Sequence, residues 1–567
     1  MLQSNAKLKS LIDELWNQFW SGGISNPLTA IQQITYMIFM KRLDDLEAKR
    51  ERDAEWNKEE FKSRFSGTYN PYVDESKYKL GKGEGGTFWF EEQEQLDKAL
   101  EEARKPRPAE ELRWSHFSNF PADKMLDHVR FNVFPFLKQL NGGTSPFTKH
   151  MANAVFVIEK PSLLVEAVKK IEQIFIEIQR DAEEGGQAFQ DIQGDVYEML
   201  LSEIATAGKN GQFRTPRHII KLMSELIEPK LGEKICDPAC GTAGFLLGAY
   251  QFILSDLVRK KAPEKLITDE DGFERGTISS VLTEDVKKQL EDDLIGFDID
   301  SSMVRLGLMN LMMHGIDSPN IDYTDTLSKK YNQDAEYDVI MANPPFTGNI
   351  DKGDINASLK LPTTKTELLF LERIYTMLRK GKRAAVIIPQ GVLFGGGKAF
   401  IEARKILTER CQLEGVIALP SGVFKPYAGV STAILIFTKV YNADDSVTEP
   451  ATQKTWFYNL ESDGYELNDK RAPLRKKDRV RDYGDLQDIV VRYKNRNSEE
   501  NADRTLKHFF VPFEEMKNMD FDLTFQKYKK EIHENIIVKD PVKIFENLES
   551  IEENIQKELK TLKEMIG

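Results

Sequence analysis

The spacing of apolar residues predicts a helical region at the start of the chain. Up to about residue 160, apolar residues recur every three or four positions, as on the buried face of an amphipathic helix. Asn26-Pro27 suits a helix start, because Asn caps helices and Pro fits their first turn. The apolar residues that follow at near-helical spacing are Leu28, Ile31, Ile34, Ile38 and Met40. We therefore predict an N-terminal helical domain over residues 1–160, with a core that includes Trp16, Trp20, Trp56, Trp89 and Trp114.

Further along, the pattern changes from helical to alternating. Three more helical stretches follow residue 161, one of them over DVYEMLLSEIATA, and short apolar runs then alternate with helices. That alternation is typical of an α/β fold with a mostly parallel sheet. The short PSGVFKPYAG connection before the last run leaves no room for a full helix, which allows the seventh strand to run antiparallel. We predict a domain over residues 161–445 with seven strands: Glu233–Asp237, Leu294–Asp298, Ile321–Tyr323, Tyr337–Ala342, Arg383–Ile388, Leu413–Leu419 and Thr432–Thr438.

Two segments lie outside this regular pattern. A long polar stretch at about 250–292 predicts an insertion that contains helix, and the sheet pattern stops after Val440. The C-terminal region, 446–567, ends in apolar residues three or four positions apart: Ile544, Leu548, Ile551, Ile555, Leu559, Leu562 and Ile566. This spacing predicts a terminal amphipathic helix with a coiled-coil-like seam, which needs a partner surface to bury it.

Composition places the chain among ordinary globular proteins. Of 567 residues, 40% are hydrophobic and 30% are charged, and the length suggests about three domains. No apolar run reaches the roughly 18 residues of a membrane helix, and the N-terminus has no signal-peptide layout. The chain has three cysteines, which are too few for a disulfide framework and, being odd in number, cannot all pair with one another. These features predict a cytoplasmic protein that does not enter a membrane.

A glycine-containing turn is the first candidate binding site. In KICDPACGTAGFLLGAY, a strand ends at Asp237, and Gly241, Thr242, Ala243 and Gly244 lead into an apolar helix. Glycines let backbone amides approach a ligand, and the helix start adds positive potential. The spacing matches neither a dinucleotide-binding G-x-G-x-x-G nor a phosphate-binding P-loop. We expect a different ligand at the carboxyl end of this first strand.

Three further segments carry groups that would suit an adenosine-containing ligand. Asp298 ends the next strand, where a carboxylate can accept both ribose hydroxyls. Asp325, after the third strand, could accept from an adenine amino group, although a turn or cap role is the alternative. In GQFRTPR, Thr215 and Pro216 predict a capped helix start that can bind a carboxylate, and an ordinary capped helix is again the alternative.

The segment YDVIMANPPFTGN carries the candidate catalytic group. A strand leads directly into Asn343, Pro344, Pro345 and Phe346. The prolines stiffen the backbone and remove two donors, which leaves rigid carbonyl acceptors beside the Asn343 side-chain oxygen. An exocyclic aromatic amine is a poor nucleophile, because its lone pair is delocalised into the ring. Acceptors that hold its hydrogens favour attack on a sulfonium methyl by positioning and electrostatics alone.

These motifs together resemble a known family. DPACGTAGF resembles the first motif of amino-methyltransferases and NPPF their catalytic motif, with the Phe typical of adenine-N6 enzymes. The GQFRTPR segment precedes the glycine turn, as in the γ class. LLSEIATAGKNGQFRTPR, LPSGVFKPYAGVSTAILIF and DGYELNDKR are similar to type I restriction–modification modification subunits, over roughly residues 10–500.

The resemblance implies a class I methyltransferase fold and a full set of ligands and partners. S-adenosylmethionine would lie among Gln212, Phe213, Arg214, Thr215, Pro216, Arg217, Asp237, Gly241–Gly244, Asp298 and Asp325. A flipped adenine of double-stranded DNA would lie at Asn343–Phe346, with Phe346 stacked on the base. A specificity subunit would read the DNA between two copies of the modification subunit, and a restriction subunit would join for cleavage. No metal is implied.

Some features of the sequence depart from the pattern. Asp298 lies 61 residues beyond Asp237, against about 20 in a compact nucleotide fold, which we attribute to the insertion. In addition, residue 298 is an aspartate, whereas many relatives have a glutamate at this position. The net charge of −13 disfavours DNA binding unless positive charge is local or a partner supplies the contacts. Residues 470–481 hold seven Lys or Arg against one Asp, as a phosphate-binding segment or a solvated loop would.

Three other functions remain open from sequence. A solitary DNA adenine methyltransferase would act without a specificity subunit. A protein or RNA amino-methyltransferase could use the same kind of site, although such enzymes are shorter and more often have Tyr in place of Phe346. A non-catalytic scaffold would bind S-adenosylmethionine only as a sensor. The Cys236-x-x-x-Cys240 pair lacks a second pair, so a packed strand and loop is favoured there over a metal site.

Overall fold

The N-terminal part of the protein is mainly helical. The structure is a computed structural model that describes residues 5–81, 88–140, 145–185, 215–276, 281–425, 429–498, 503–530 and 541–566. Its first helices are α1 (Ala6–Ser21), α2 (Pro27–Asn57), α3 (Gln93–Arg104), α4 (Trp114–Phe117), α5 (Ala122–His128), α6 (Phe134–Lys138), α7 (Pro146–Met151) and α8 (Pro161–Gly185). Short strands between them form two small pairs, β1 (Thr68–Tyr69) with β4 (Arg107–Pro108) and β2 (Tyr78–Leu80) with β3 (Phe88–Phe90).

The start of α2 follows from its sequence. The Asn26 side chain accepts a hydrogen bond from the Thr29 amide at 3.1 Å, and Pro27 occupies the first turn. Its predicted apolar face is buried except for the partly buried Leu28. The prediction for the tryptophans is wrong in part. Trp114 is buried, but Trp20 and Trp56 are 54% and 88% exposed, because they lie on the outer faces of their helices.

A nine-stranded sheet forms the centre of the remainder. Its strands are β5 (Ile235–Asp237), β8 (Leu294–Asp298), β9 (Asn320–Tyr323), β10 (Tyr337–Ala342), β11 (Leu378–Pro389), β12 (Cys411–Leu419), β13 (Thr432–Lys439), β14 (Lys454–Asn459) and β15 (His508–Pro512). The order across the sheet is β15-β14-β12-β13-β11-β10-β5-β8-β9. All seven predicted strands are present, and β13 runs antiparallel to both neighbours, as the short connection allowed.

The prediction that the sheet pattern ends after Val440 is wrong. β14 pairs parallel with β12, and β15 pairs antiparallel with β14, so the sheet continues beyond residue 445. The strand KTWFYN is rich in aromatic and β-branched residues, and Trp456, Phe457 and Tyr458 are fully buried. The composition of this segment therefore indicates a strand. It was not predicted as one because it lies beyond the regular alternation of strands and helices.

The helices that follow residue 215 lie on both faces of the sheet, except for the last one, whose described residues are all exposed. They are α9 (Arg217–Ile227), α10 (Gly244–Lys261), α11 (Glu284–Asp293), α12 (Ser301–Met313), α13 (Thr366–Met377), α14 (Gly391–Phe394), α15 (Lys398–Lys405), α16 (Leu486–Lys494), α17 (Phe513–Asn518), α18 (Phe525–Tyr528) and α19 (Pro541–Ile566). The predicted helix over DVYEMLLSEIATA lies outside the described residues. No helix in the described ranges is long and apolar enough to cross a membrane.

The insertion begins later than the sequence indicated. α10 continues the glycine turn as far as Lys261, so the first residues of the predicted 250–292 insertion belong to the regular fold. The added segment carries a hairpin of β6 (Leu266–Thr268) and β7 (Glu274–Gly276), followed by α11.

At the β9 edge, the N-terminal region packs against the sheet. Lys149 Nζ and His150 Nε2 lie 2.8 and 2.9 Å from the same oxygen of Asp322.

Candidate functional site

The turn after β5 leaves open space at the carboxyl edge of the sheet. Gly241 and Ala243 have left-handed backbone conformations, with φ of +51° and +64°. The Ala243 amide donates to the Cys240 carbonyl at 2.8 Å, which closes the turn before α10 begins at Gly244. A Cβ added at Gly241 would meet no atom within 4 Å. The predicted ligand loop therefore has the tight backbone and the free space that a ligand needs.

Asp298 lies directly against this turn. Its Oδ2 accepts a hydrogen bond from the Gly241 amide at 2.9 Å, and its Oδ1 accepts one from the Asp300 amide at 2.8 Å. Burial raises the pKa of the Asp298 carboxyl. The insertion thus adds sequence distance between Asp237 and Asp298 without separating them in space, because β5 and β8 are neighbouring parallel strands.

Asp237 is the more buried of the two carboxyls. Its side chain is almost fully enclosed, and its Oδ1 accepts from the Ala239 amide at 3.1 Å. Burial, aided by the nearby charge of Asp298, raises the pKa of Asp237 to about 8. Burial therefore favours the protonated form of the Asp237 carboxyl in the folded protein.

Asp325 lies at the same edge of the sheet but takes part in a turn. Its Oδ1 accepts from the Leu327 amide at 2.9 Å, and its backbone carbonyl accepts from Ser328 Oγ at 2.8 Å. The adjacent Thr326 hydroxyl donates to the Pro238 carbonyl at 3.2 Å, which ties this turn to the one after β5. The turn role considered in the sequence is therefore present, and it uses one carboxylate oxygen.

Asn343 follows β10, the strand beside β5. One end of its side-chain amide makes a hydrogen bond, and the other end makes none with the described residues. Nδ2 donates to Thr215 Oγ1 at 3.0 Å. Oδ1 is buried and accepts no hydrogen bond from any group that the structure describes. A buried acceptor without a donor is costly in a folded protein and marks a place where a ligand can supply the donor. Pro344 is buried and Pro345 is exposed.

Thr215 therefore plays a different part from the predicted helix cap. α9 begins at Arg217, and Pro216 occupies the cap position without a side-chain hydrogen bond. The Thr215 hydroxyl instead accepts from Asn343. α9 packs tightly on α10, since a Cβ at Gly248 would lie 2.4 Å from Ile220 Cγ2. The predicted residues Gln212, Phe213 and Arg214 lie outside the described residues.

Phe346 is buried against an aromatic residue that the sequence did not single out as a site residue. Its ring meets that of Phe424 edge to face, with centroids 5.7 Å apart. Phe424 belongs to the PSGVFKPYAG connection between β12 and β13. An aromatic residue in a loop at the carboxyl edge of the sheet was the available signal for this contact.

The described residues contain no cluster of His, Cys, Asp and Glu arranged to hold a metal ion. Cys236, Cys240 and Cys411 are all free and buried. Burial raises the pKa of each thiol. Cys236 and Cys240 thus pack in the strand and turn, the alternative that the sequence favoured over a metal site.

Comparison with known proteins agrees with this geometry. The N-6 DNA Methylase family matches residues 188–535, and the HsdM N-terminal domain matches residues 8–171. The methylase subunit of the type I restriction enzyme EcoEI from Escherichia coli is 32% identical over 400 residues, which are 68% of this chain and 73% of that protein.

Solved structures share the fold at lower identity. A chain from a type I restriction–modification system has a TM-score of 0.59 at 24% identity and covers 98% of both chains. The methyltransferase subunit of such a system from Streptococcus thermophilus has a TM-score of 0.56 at 19% identity, over 92% of this chain and all of that one.

The protein therefore belongs to the N-6 DNA methylase family. Within that family it is a modification subunit of the type I restriction–modification class, and its activity is the methylation of adenine N6 in DNA. The resemblance seen in the sequence and the class I methyltransferase fold are both confirmed.

Proposed function

We propose that the protein binds S-adenosylmethionine above the Gly241–Gly244 turn and methylates an adenine of duplex DNA held at Asn343. The observation that carries the proposal is the buried, unsatisfied Oδ1 of Asn343 at the end of β10, the strand next to that turn. Neighbouring strands of a sheet lie about 5 Å apart. One ligand site can therefore span both strand ends.

The residues present fit this cofactor. The space above Gly241 admits a ligand close to the backbone, and the Asp298 carboxylate at the same turn can accept ribose hydroxyls. Asp325 keeps one carboxylate oxygen outside its turn contact, which suits an adenine amino group. We assign Thr215, Pro216 and Arg217, at the start of α9, to the methionine end, together with Gln212, Phe213 and Arg214.

Asn343 orients the adenine amine by hydrogen bonding. When bound, the cofactor supplies an electrophilic methyl group. Asn343 Oδ1 accepts one hydrogen of the adenine N6 amino group, and the Pro344 carbonyl accepts the other. These contacts favour a pyramidal nitrogen whose lone pair is free to react. Phe346 and Phe424 form the aromatic wall of the base site, which receives the adenine after it flips out of the duplex.

The proposed partners are a specificity subunit, a second copy of this chain and a restriction subunit. The terminal helix α19 supports the first of these, because its apolar stripe is about half exposed along its length: Ile544, Leu548, Ile551, Ile555, Leu559 and Leu562. A helix with such a seam gains stability by packing against a helix of another chain.

Transfer of labelled methyl groups tests the proposal. The chain, co-expressed with its specificity subunit, should transfer methyl label from S-adenosylmethionine to adenine N6 in duplex DNA. Asn343→Ala should lower the rate by about 10²–10³-fold while the cofactor and DNA still bind. Asn320→Ala is the matched control, because Asn320 is exposed at the amino end of β9, away from the turn.

The alternatives predict other outcomes of the same assay. A solitary methyltransferase would label DNA without the specificity subunit. A protein or RNA methyltransferase would label those fractions instead of DNA. A sensor scaffold would bind the cofactor but transfer no label, and Asn343→Ala would leave assembly and restriction control unchanged.

A further inference from the structure

Residues 463–482 form two consecutive hairpin turns, over 465–473 and 475–481, that we call together the basic hairpin, with the second turn as its tip. Backbone bridges pair Tyr465 with Pro473 and Arg475 with Arg481. At its tip, the Lys476 amide donates to the Val480 carbonyl at 2.9 Å. The basic run of the sequence, 470–481, is therefore an ordered projection and not an irregular loop.

Two of its seven basic residues fold inward and fix the hairpin. Arg471 pairs with the fully buried Asp463 and donates to the Glu466 carbonyl at 2.8 Å. Arg481 donates to the carbonyls of Leu474 and Asp482 at 3.1 and 2.6 Å. These two guanidinium groups satisfy backbone and carboxylate acceptors at the base of the hairpin, so their role is structural.

The other five basic side chains are exposed: Lys470, Arg475, Lys476, Lys477 and Arg479. Among the acidic residues of the hairpin, Asp469 lies 3.5 Å from Lys425, and Asp478 accepts the Val480 amide within the tip. The 470–481 run carries seven positive charges and one negative charge, whereas the whole chain has a net charge of −13. The 470–481 run is therefore a local positive stretch on an acidic protein, within a hairpin that as a whole holds seven basic and five acidic residues.

One side of the hairpin is anchored to the helix that follows Thr215. His218, in the first turn of α9, lies 2.9 Å from Asp463 through Nε2. Its ring also stacks on Tyr465 with centroids 4.5 Å apart. The Tyr465 hydroxyl donates to Asp271 at 2.6 Å, and Lys221 of α9 lies 2.5 Å from the same carboxylate. Hairpin, insertion and α9 thus share one buried polar cluster.

The other side of the hairpin adjoins the loop that carries Phe424. A Cβ added at Gly422 would lie 2.8 Å from the Leu467 carbonyl, so this loop and the hairpin are in direct contact. The Lys425–Asp469 pair joins the same two segments. Thr215 contacts Asn343, and Phe424 contacts Phe346. The hairpin therefore adjoins both of the segments that contact the candidate catalytic residues.

We propose that the basic hairpin binds the phosphate backbone of the DNA duplex beside the flipped adenine. The inference rests on the proposed function, since a base held at Asn343 brings its neighbouring phosphates to this edge of the protein. The tip presents Lys and Arg without an aromatic residue in 470–481, which suits charge contacts with phosphate and not base stacking. The rigid base of the hairpin limits the entropy lost when these side chains meet DNA.

The salt dependence of DNA binding tests this inference. The modification complex, assembled with its specificity subunit, is titrated with a short duplex of unrelated sequence at several salt concentrations. Lys476→Gln combined with Lys477→Gln should reduce the slope of log K against log salt by about 0.9 for each phosphate that the variant no longer neutralises. Lys230→Gln combined with Lys380→Gln is the matched control, since both are exposed near the amino edge of the sheet. The control should retain the parent slope.

Two results would overturn the inference. One is equal slopes for the hairpin variant, the control and the parent. The other is an unchanged slope with loss of the specificity subunit, which would make the hairpin a protein-binding surface. The proposed function is judged separately by methyl transfer to DNA in the parent complex. A parent that transfers no methyl group would reject that function even if the salt slopes differed.

Discussion

The side chain of Asn343 donates a hydrogen bond from Nδ2 to Thr215 Oγ1 at 3.0 Å. This contact joins two segments 128 residues apart, and in it the Nδ2 end of the amide faces Thr215. Because Nδ2 points to Thr215, Oδ1 is held as the free acceptor of the pair. Thr215 is thus a positioning residue for the group proposed to bind the amine.

The first prediction concerns this contact. Thr215→Val keeps the shape of the side chain but removes the acceptor, which leaves the Asn343 amide free to turn. The amide then also adopts orientations in which Oδ1 does not face the amine, and restoring the reactive orientation at a cost of about 1–3 kcal/mol would lower kcat by about 10–100-fold. Single-turnover methyl transfer measures the effect. Thr215→Ser retains the hydroxyl and should restore most of the rate. If Val and Ser variants matched the parent, the hydrogen bond would have no role in positioning.

The second prediction concerns the open space above Gly241. Gly241→Ala adds a Cβ at φ +51°, where no protein atom lies within 4 Å. The left-handed conformation should cost about 1–2 kcal/mol of stability, and the methyl group should also obstruct the cofactor. We expect S-adenosylmethionine to bind at least tenfold more weakly, as measured by calorimetry.

Gly381 provides a matched control for this substitution. It has a φ of +78° and equally open surroundings, but it lies near the amino end of β11, away from the turn. Gly381→Ala should therefore lose similar stability and keep the parent affinity for the cofactor. Equal affinity in both variants would place the cofactor elsewhere.

Some relationships within the candidate site follow from the sequence, and others do not, for physical reasons. Asn343 and Asp298 end buried strands, and the carboxyl ends of neighbouring parallel strands must meet at one edge. Because β10 and β8 lie on either side of β5, their place at the same edge follows from strand order. The contact of Asn343 with Thr215 could not be predicted, because Pro216 and Thr215 fit a helix cap equally well. Only the packing of α9 on α10 directs the hydroxyl to Asn343.

The strands β14 and β15 were not predicted for a different reason. β14 follows β13 without a helix between them, and β15 pairs with β14 only after a long connection that contains α16. A pattern based on alternating elements therefore ends too early, although Trp456 and Phe457 are typical strand residues. The exposed Trp20 and Trp56 show the opposite error, in which residues were predicted to be buried and are not. Aromatic character alone does not assign a residue to a core.

The third prediction concerns the terminal helix α19. Ile551 and Ile555 lie one turn apart on its exposed apolar stripe. If this stripe packs on the specificity subunit, Ile551→Asp with Ile555→Asp should weaken association by at least about 100-fold, since each buried side chain contributes about 1.5–3 kcal/mol. Titration of the purified full chain with the specificity subunit measures the change. Glu553→Gln with Lys557→Gln changes exposed residues of the same helix without altering its net charge and should leave association intact. Association that survives both pairs would assign the stripe to another partner.

The fourth prediction concerns pH and Asp237. Burial raises its pKa to about 8 in the folded protein, well above the value of about 4 expected in the unfolded chain. The folded state therefore holds a proton that the unfolded state releases above pH 4, and the contribution of Asp237 to stability falls as pH rises from about 4 to about 8. Asp237→Asn keeps the carbonyl acceptor for the Ala239 amide and has no proton to lose.

The difference in stability between variant and parent isolates this one group, because other titrating residues are common to both chains. The melting temperature of Asp237→Asn minus that of the parent should increase with pH between about 5 and 8 and level off above that range. The corresponding change in free energy is at most about 1.4 kcal/mol per pH unit. A constant difference for Asp237→Asn would mean that its carboxyl is already ionised at neutral pH, and the charge at the base of the cofactor turn would then be negative.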